Sequence, residues 1–269
     1  LRLSRKKKRT ERRPLILVVN DDGYEAKGLE AMVEIASSFG ETFVVAPDRA
    51  QSGKAHAITM NEPLRLNHYK TVNGVQYWRT NGTPTDCVKL GQKVLLKNRH
   101  VDLVLSGINH GSNSSVSLIY SGTMAAAMEA CFDNFTAVGL SLLDYSPDAD
   151  FTAAVHYGKQ IVGQVLEKGI PPFTCLNVNF PKASIEEIKG IKITRQTKGY
   201  WHEELEPCTD PYGGTYYWLA GYLVNTDEGE DNCEWALQHN YISVQPVHVD
   251  MTAYYAMNDI KYLENEFKR

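Results

Sequence analysis

LILVVNDDG, residues 15–23, is an unbroken apolar run that ends abruptly at a polar turn. A run without polar alternation is typical of a strand buried on both faces of a parallel sheet. Apolar residues then recur at helical spacing over residues 28–39, Gly40 provides a stop signal, and a second apolar run covers residues 42–46. Strand, helix and strand within about thirty residues indicate a βαβ unit, whose strand-end loops meet at one edge of the sheet.

The same alternation continues along the chain. It predicts helices over 85–96, 123–132 and 150–167, and strands over 101–105, 137–143 and 175–180. We therefore expect residues 14–184 to form an α/β, Rossmann-like, doubly wound and mostly parallel sheet.

A different pattern begins after Pro181. Aromatic-rich strands are predicted over 192–196, 215–224 and 241–247, separated by polar turns. We interpret residues 185–269 as a C-terminal extension, rich in β-hairpins, that lies outside the parallel sheet and completes the fold. Exposed strand edges of this kind can be covered by another subunit, so a homo-oligomer is expected.

The first thirteen residues, LRLSRKKKRTERR, contain eight Lys or Arg residues and one Glu. Such a segment has no apolar face to bury, and we interpret residues 1–13 as a disordered, solvated basic tail. Contact with a nucleic acid or an anionic surface is the alternative, but the rest of the chain is net acidic, which disfavours a nucleic-acid-binding protein.

The composition is that of a globular protein, with 43% hydrophobic and 22% charged residues. No apolar stretch is long enough to cross a bilayer, and no secretory signal is evident, so no membrane partner is expected. Five cysteines without a metal-binding spacing indicate a reducing cytoplasm, although a Cys208–Cys233 disulfide is an alternative.

The turn after the first strand, Asn20-Asp21-Asp22-Gly23, is the first candidate site. Adjacent carboxylates repel each other unless a cation or backbone N–H groups offset their charge. Oxygen ligands favour Mg²⁺, Mn²⁺ or Ca²⁺ over zinc, and Gly23 permits a sharp turn. The alternative is a polar turn that caps a helix.

Two further loops are predicted at the same edge of the sheet, over 46–56 and 106–115, and both are rich in hydroxyl and amide groups. Ser121-Gly122-Thr123 then opens a helix whose N-terminus is suited to phosphate, although Ser121 read alone is an ordinary N-cap. His56 and His110 lie in these loops as candidate donors or ordinary loop residues. Dinucleotide-binding, Walker and serine-hydrolase motifs are missing from the sequence.

Five ordered blocks closely resemble the SurE family of metal-dependent 5′/3′-nucleotidases. They are ILVVNDDGYEAKGLEAM, VVAPDRAQSGKAHAIT, NGTPTDCV, DLVLSGINHGSN and YSGTMAAAMEA, and they span about residues 15–143. The resemblance implies a nucleotidase acting on 5′- and 3′-monophosphates, with polyphosphate as a further substrate, and an extension exchanged in a homodimer or homotetramer. Residues 110–117 depart from the glycine-rich loop of many members, which leaves substrate preference open.

The resemblance also implies a set of site residues. One divalent cation, Mg²⁺ or Mn²⁺ with Ca²⁺ or Co²⁺ as alternatives, is expected on Asp21, Asp22, Ser52 and Asn109. The expected catalytic residues are Asp21, Asp22, Asn109 and Ser121, and the expected phosphate-binding residues are Asn20, Ser52, Gly53, Asn109, Ser121, Gly122 and Thr123. A non-enzymatic nucleotide sensor and an aspartyl-phosphate phosphatase are the alternatives.

Overall fold

The structure is a computed structural model that describes residues 12–266. Its main sheet has nine strands, and two further strands form a separate hairpin. In chain order the strands are β1 (Leu15–Val19), β2 (Glu41–Pro47), β3 (Leu66–Val72), β4 (Val75–Thr80), β5 (Leu103–His110), β6 (Ala137–Leu142), β7 (Thr174–Phe180), β8 (Gly190–Ile193), β9 (Gly199–Thr209), β10 (Thr215–Asn225) and β11 (Tyr241–His248). The α/β fold class predicted from the sequence is confirmed.

The strand order in the main sheet is β3-β4-β2-β1-β5-β6-β7-β11-β8. The six strands from β4 to β7 in this order run parallel, so their carboxyl ends share one edge. Strand β3 is antiparallel to β4, and β11 is antiparallel to β7. The chain direction reverses only toward the two margins of the sheet, and the parallel centre positions the site.

Strand β1 is fully buried because the sheet is covered on both faces. Ile16 and Val18 pack into one core, whereas Leu15, Leu17 and Val19 pack into the other. Successive side chains of a strand point to opposite faces, so an all-apolar strand supplies both cores at once. This arrangement explains the absence of polar alternation in the run that opens the fold.

The helices divide between the two faces. They are α1 (Lys27–Ser37), α2 (Pro84–Leu90), α3 (Ser117–Tyr120), α4 (Gly122–Phe132), α5 (Thr152–Lys168), α6 (Cys233–Gln238) and α7 (Leu263–Glu266), with a π-helical segment at Gly91–Leu95 and a 3₁₀ turn at Tyr254–Ala256. Apolar residues of α1 and α5 contribute to one core, and those of α2 and α4 contribute to the other. The sheet is therefore doubly wound, as predicted.

The expectation that the C-terminal strands lie outside the main sheet is wrong for two of them. Strand β11 pairs with β7, and β8 pairs with β11, so both belong to the main sheet. Among the strands of residues 12–266, only the hairpin of β9 and β10 lies outside the main sheet. The error arises because sequence patterns identify strands but carry no information about which distant strand they pair with.

Three local expectations also differ from the structure. Strand β5 continues through the polar residues 106–110, the helix predicted over 85–96 ends as an α-helix at Leu90, and the hairpin of β3 and β4 was not predicted. Strand β3 is largely exposed and polar, so it lacks the apolar pattern that marks a buried strand.

The predicted basic tail lies mostly outside the described residues, but Arg12 donates a 2.6 Å hydrogen bond to Asp102 Oδ2. All five cysteines are free, so Cys208 and Cys233 do not form the alternative disulfide. Within residues 12–266, none of the helices combines the length and apolar character needed to cross a bilayer.

Candidate active site

A cavity of about 480 Å³ lies at the edge where the parallel strands end. Of the residues expected to bind metal or phosphate or to take part in catalysis, five line it: Asp21, Ser52, Gly53, Asn109 and Ser121. They come from four separate segments, which follow β1, lie beyond β2, end β5 and precede α4. The fold therefore assembles distant parts of the chain at one point.

Asp21 is the most constrained acid of this cavity. Its side chain is almost fully buried, with 4% of the residue exposed, and Thr123 donates a 2.6 Å hydrogen bond to its Oδ1. Burial, followed by the nearby Asp22 carboxylate, raises the Asp21 pKa to about 6, although hydrogen bonds from Thr123 oppose this shift. Ionisation of Asp21 therefore destabilises the folded protein unless a positive charge lies nearby.

Asp22 faces a different environment from Asp21. It is partly exposed, and its Oδ2 accepts a 3.2 Å hydrogen bond from the His110 backbone N–H. Burial raises the pKa of Asp22 as well. Among the described residues, the cavity lining includes Asp21 but not Asp22. Asp22 lies beside the cavity, where its hydrogen bond joins the β1 turn to the end of β5.

The turn itself is stabilised from within. The Asn20 side-chain amide donates a 2.8 Å hydrogen bond to the Gly23 carbonyl, and Gly23 has a φ of +104°, which favours glycine. Asn20 Oδ1 is buried and has no hydrogen-bond partner within the described chain. Asn20 shapes the turn and does not line the cavity among these residues.

The loop after β2 carries Ser52 and Gly53, and backbone hydrogen bonds on either side of these residues hold it in place. Gln51 donates a 2.7 Å backbone hydrogen bond to the Asp21 carbonyl, and Ala55 donates one of 3.2 Å to the Tyr120 carbonyl. Ser52 and Gly53 are themselves exposed. The backbone contacts therefore hold a solvent-accessible hydroxyl close to the acidic turn.

Asn109 presents an oxygen rather than a nitrogen for ligand binding. Its Nδ2 donates hydrogen bonds of 2.7 Å to the Gly111 carbonyl and 3.1 Å to the His110 carbonyl. Because both amide hydrogens are engaged within the loop, Oδ1 is the side-chain atom left for a cation or a donor. This fits the ligand role that the family resemblance implies.

The N-terminus of α4 lies directly behind Asp21. Ser121 caps the helix, with its Oγ accepting a 3.0 Å hydrogen bond from the Met124 N–H, and it also lines the cavity. A Cβ atom at Gly122 would lie 2.9 Å from Asp21 Cβ, so only glycine permits this approach. The sequence predicts phosphate contacts at Gly122 and Thr123, but in the structure both are buried, and the Thr123 hydroxyl is directed to Asp21.

The oxygens of Asp21, Asp22, Ser52 and Asn109 have the chemistry that suits a hard cation. Neither Asp21 nor Asp22 is paired with a Lys, Arg or His side chain in the described part of the chain. The described residues also contain no cluster of three or more His, Cys, Asp or Glu side chains suited to a metal. Two carboxylates, a hydroxyl and an amide oxygen fit magnesium or manganese better than zinc.

The two candidate histidines have different surroundings. His56 Nε2 lies 2.9 Å from Glu129 Oε2, while Lys89 contacts the other oxygen of Glu129. His110 lines the cavity, and its ring packs edge-on against Phe151 at 5.0 Å. Within residues 12–266, His56 is therefore a partner of a buried acid, and only His110 faces the cavity.

Sequence reasoning missed part of the cavity lining. Tyr145 follows β6, and Trp201, Leu219, Ala220 and Gly221 come from the hairpin of β9 and β10. The density of aromatic residues in the hairpin is visible in the sequence. Which of them faces the cavity depends on strand register and packing, for which the sequence contains no local signal.

The loop over 111–115, which forms one wall, is held by two buried asparagines of β7. Asn179 Oδ1 accepts a 2.8 Å hydrogen bond from the Asn113 N–H, and Asn177 Nδ2 donates one of 2.8 Å to the Asn113 carbonyl. Asn113 Nδ2 also donates a 2.7 Å hydrogen bond to Ser141 Oγ. These contacts fix the conformation of a loop that departs from the family pattern.

Comparison with known proteins gives a consistent result. The family model described as Survival protein SurE matches residues 16–203. A protein of Flavobacterium psychrophilum named 5′-nucleotidase SurE is 51% identical over 91% of this chain and 95% of its own length. A Bacteroides fragilis protein of the same name is 44% identical over 94% of this chain and 98% of its own. The crystal structure of the SurE protein from Aquifex aeolicus has a TM-score of 0.81 and 42% identity, covering 93% of this chain and 100% of that one.

Proposed function

The chain belongs to the SurE family, and we propose that its cavity hydrolyses nucleoside 5′-monophosphates to a nucleoside and phosphate with the help of a divalent cation. The protein is then a phosphoric monoester hydrolase of the 5′-nucleotidase type. The observation that carries this proposal is the buried carboxylate of Asp21, which shares one cavity with Ser52, Asn109 and Ser121. Relatives named 5′-nucleotidase SurE match almost the whole chain, which supports the same activity.

We assign the cation to Asp21, Asp22, Ser52 and Asn109, with Mg²⁺ or Mn²⁺ as the expected ion. The donor chemistry supports this set, because a hard cation offsets the two unpaired carboxylates and accepts neutral oxygens as further ligands. When bound, such a cation polarises the phosphoryl group and lowers the pKa of a bound water molecule.

The protein's own residues orient the two acids and bind the phosphate. Thr123 fixes the rotation of the Asp21 carboxylate, and the Asp22 contact with the His110 N–H keeps the acidic turn beside β5. Ser52, Gly53 and Ser121 line the cavity and are proposed to contact the phosphate. Gly122 and Thr123 contribute to phosphate binding through the α4 N-terminus, whose positive dipole end also lies behind Asp21. Asn20 supports the turn that carries both acids.

Three further proposals remain. Hydrolysis of 3′-monophosphates and polyphosphate, and a homodimer or homotetramer, follow from the family resemblance. A cytoplasmic location follows from the five cysteines, which are all free. Exposed aromatic side chains of β10, namely Tyr216, Tyr217, Trp218 and Tyr222, support an assembly through the extension. A sedimentation coefficient of a monomer at micromolar concentration would contradict that assembly.

The test is phosphate release from AMP, GMP and their 3′ isomers, measured with Mg²⁺, with Mn²⁺ and after EDTA treatment. The wild-type protein should lose activity in EDTA and regain it when either metal is restored. Asp21→Asn should be inactive under all conditions. Glu167→Asn is a suitable control, because Glu167 is exposed on α5.

Two outcomes would contradict the proposal. Turnover that is unchanged by EDTA would show that the reaction needs no cation. Full activity of Asp21→Asn would show that the reaction does not need the Asp21 carboxylate. Metal-dependent nucleotide binding without turnover would favour the sensor instead. A phosphorylated Asp21 or Asp22 trapped during turnover would favour an aspartyl-phosphate phosphatase.

A further inference from the structure

His56 lies in the loop over 46–56 that carries Ser52, and the proposed function gives it no part. Within the described chain it does not line the cavity. Its Nε2 lies 2.9 Å from Glu129 Oε2, and the centre of its ring lies 5.8 Å from that of Phe132. Glu129 and Phe132 both belong to α4, the helix whose N-terminus borders the cavity. His56 therefore joins the loop that carries Ser52 to this helix.

Glu129 is a buried acid with a partner on each oxygen. Only 8% of the residue is exposed, and Lys89 of α2 contacts Oε1 while His56 contacts Oε2. The hydrogen bond from His56, followed by the interactions with Lys89, outweighs burial and lowers the Glu129 pKa, so the side chain is ionised near neutral pH. An ionised carboxylate only accepts hydrogen bonds, so the His56 Nε2–H is the donor. Loss of that donor deprives one oxygen of a buried carboxylate of its partner, which is unfavourable.

Helix α4 contacts both halves of the proposed cation site. In its first turn, the Thr123 hydroxyl donates a 2.6 Å hydrogen bond to Asp21. Six residues later, or about 9 Å along the helix axis, Glu129 accepts the hydrogen bond from His56. The helix thus gives Asp21 and the loop that carries Ser52 a common support.

The residue before His56 has a backbone conformation that needs support from its surroundings. Ala55 has a φ of +50°, in the left-handed region that residues with a Cβ seldom adopt. Such a conformation persists where neighbouring contacts specify it. The Ala55 N–H donates a 3.2 Å hydrogen bond to the Tyr120 carbonyl, and the next side chain, His56, binds Glu129. The hydrogen bond of His56 therefore helps to offset backbone strain in this loop.

We propose that His56 is a positioning residue for the cation site: its hydrogen bond to Glu129 holds the loop over 46–56 where the Ser52 hydroxyl can reach the cation bound by Asp21. The inference rests on the proposed function and adds how an exposed hydroxyl in a loop is kept in place. The apparent affinity for a cation falls in proportion to the fraction of molecules whose loop is in the binding conformation. Removing the His56 donor should therefore weaken cation binding, whereas a saturating cation restores the binding conformation and the turnover number.

The experiment separates the hydrogen bond of His56 from its ring contact. His56→Phe keeps a ring beside Phe132 but has no donor, and His56→Gln keeps a donor close to the position of Nε2. Titration calorimetry with Mn²⁺ should give a dissociation constant about tenfold above the wild type for His56→Phe, and within about twofold for His56→Gln. At saturating Mn²⁺, kcat for AMP should stay within about twofold of the wild type in both variants. His156→Phe, at an exposed position of α5, is the matched control and should bind Mn²⁺ like the wild type.

A double-mutant cycle tests whether the effect of His56 passes through Ser52. Ser52→Ala should itself weaken Mn²⁺ binding. In that background, His56→Phe should cause less than about twofold further loss, because the loop no longer supplies a ligand. A residue that only stabilises the fold would lower the affinity by the same factor in both backgrounds. Urea denaturation checks that each variant is folded, and His56→Asn, whose shorter side chain brings no donor to the position of Nε2, replaces His56→Phe if that variant does not fold.

Each alternative outcome is distinct. Wild-type Mn²⁺ affinity of His56→Phe would overturn the proposal, and so would an equal loss in His56→Phe and His56→Gln. A loss of the same size with and without Ser52, or a kcat that saturating Mn²⁺ does not restore, would assign His56 a structural role instead. If Ser52→Ala binds Mn²⁺ as tightly as the wild type, the positioning role fails while the nucleotidase activity stands. If the wild type neither binds Mn²⁺ nor hydrolyses AMP, the proposed function itself fails.

Discussion

The Thr123 hydroxyl donates a 2.6 Å hydrogen bond to Asp21 Oδ1, although the two residues are 102 positions apart in the chain. Thr123 is fully buried in the first turn of α4, and Asp21 follows β1. The bond orients one oxygen of the proposed cation ligand and leaves the other oxygen free of this donor. Groups that orient a metal ligand commonly change metal affinity about 10–100-fold when they are removed.

Replacing Thr123 by Val should therefore weaken cation binding about tenfold, because Val has nearly the same shape but no hydroxyl. Titration calorimetry with Mn²⁺ measures the effect directly. Thr123→Ser keeps the hydroxyl and should bind Mn²⁺ within about twofold of the wild type. Equal affinity of the Val and Ser variants would show that the hydroxyl does not position Asp21.

Asp21→Asn should stabilise the metal-free protein above pH 6. The folded-state pKa of Asp21 is raised to about 6, so its contribution to stability is present below its unfolded pKa and is lost as the pH rises through about 6. A neutral Asn avoids that loss while retaining an oxygen for Thr123. In EDTA at pH 8, the free energy of unfolding should rise by at most about 3 kcal/mol, and the gain should shrink toward pH 4.

Urea denaturation in EDTA at pH 8, 6 and 4.5 tests whether Asp21→Asn is more stable than the wild type and whether the gain shrinks as the pH falls. Saturating Mg²⁺ or Mn²⁺ should raise the wild-type stability but leave Asp21→Asn nearly unchanged, because a ligand stabilises only the state that binds it. A variant less stable than the wild type in EDTA at pH 8 would mean that the Asp21 carboxylate is already compensated by the protein.

Asn179→Ala should destabilise the fold and loosen the loop over 111–115. Asn179 is fully buried and connects the Asn113 N–H to the side chain of Asn177. Its removal leaves buried polar groups without partners, at a cost of about 2–4 kcal/mol in the free energy of unfolding. Urea denaturation measures the loss, and Asn258→Ala, at an exposed position, is the control. A change below about 0.5 kcal/mol, as at ordinary surface sites, would contradict the role of Asn179.

Glu129→Gln should weaken the attachment of the loop that carries Ser52. Glu129 is only 8% exposed, and His56 and Lys89 contact its two oxygens. The hydrogen bond from His56, followed by the interactions with Lys89, lowers the Glu129 pKa. This contribution is present above the unfolded pKa and is lost as the pH falls through the folded value.

The variant should thus lose about 1–2 kcal/mol of stability at pH 7, and the difference from the wild type should narrow below pH 5. Thermal unfolding at pH 7, 5 and 4 follows the trend. Glu167→Gln on the exposed face of α5 should have no effect at any of these pH values. If the stability difference between Glu129→Gln and the wild type grew as the pH fell, the pKa of Glu129 would not be lowered in the folded protein.

The central fold was predictable because its signals are local. The apolar runs of β1, β2 and β6 and the helical spacing of α1 and α5 fall within a few residues of the observed bounds. The exposed strand β3 and the pairing of β8 with β11 were not predictable in this way. The first lacks an apolar pattern, and the second depends on contacts between segments about fifty residues apart.

The candidate site was likewise predictable only in part. Its polar residues could be predicted because Asp21 and Ser52 follow parallel strands and Asn109 lies near the end of one, and parallel topology brings these positions to one edge of the sheet. The sequence also placed Ser121 at the start of a helix. Tertiary structure alone decided that Thr123 faces Asp21, that Asp22 lies beside the cavity and that Trp201 lines it. The reason is physical: periodicity specifies which faces of a strand or helix are buried, whereas the partner of a buried hydroxyl or an indole ring depends on how distant elements pack.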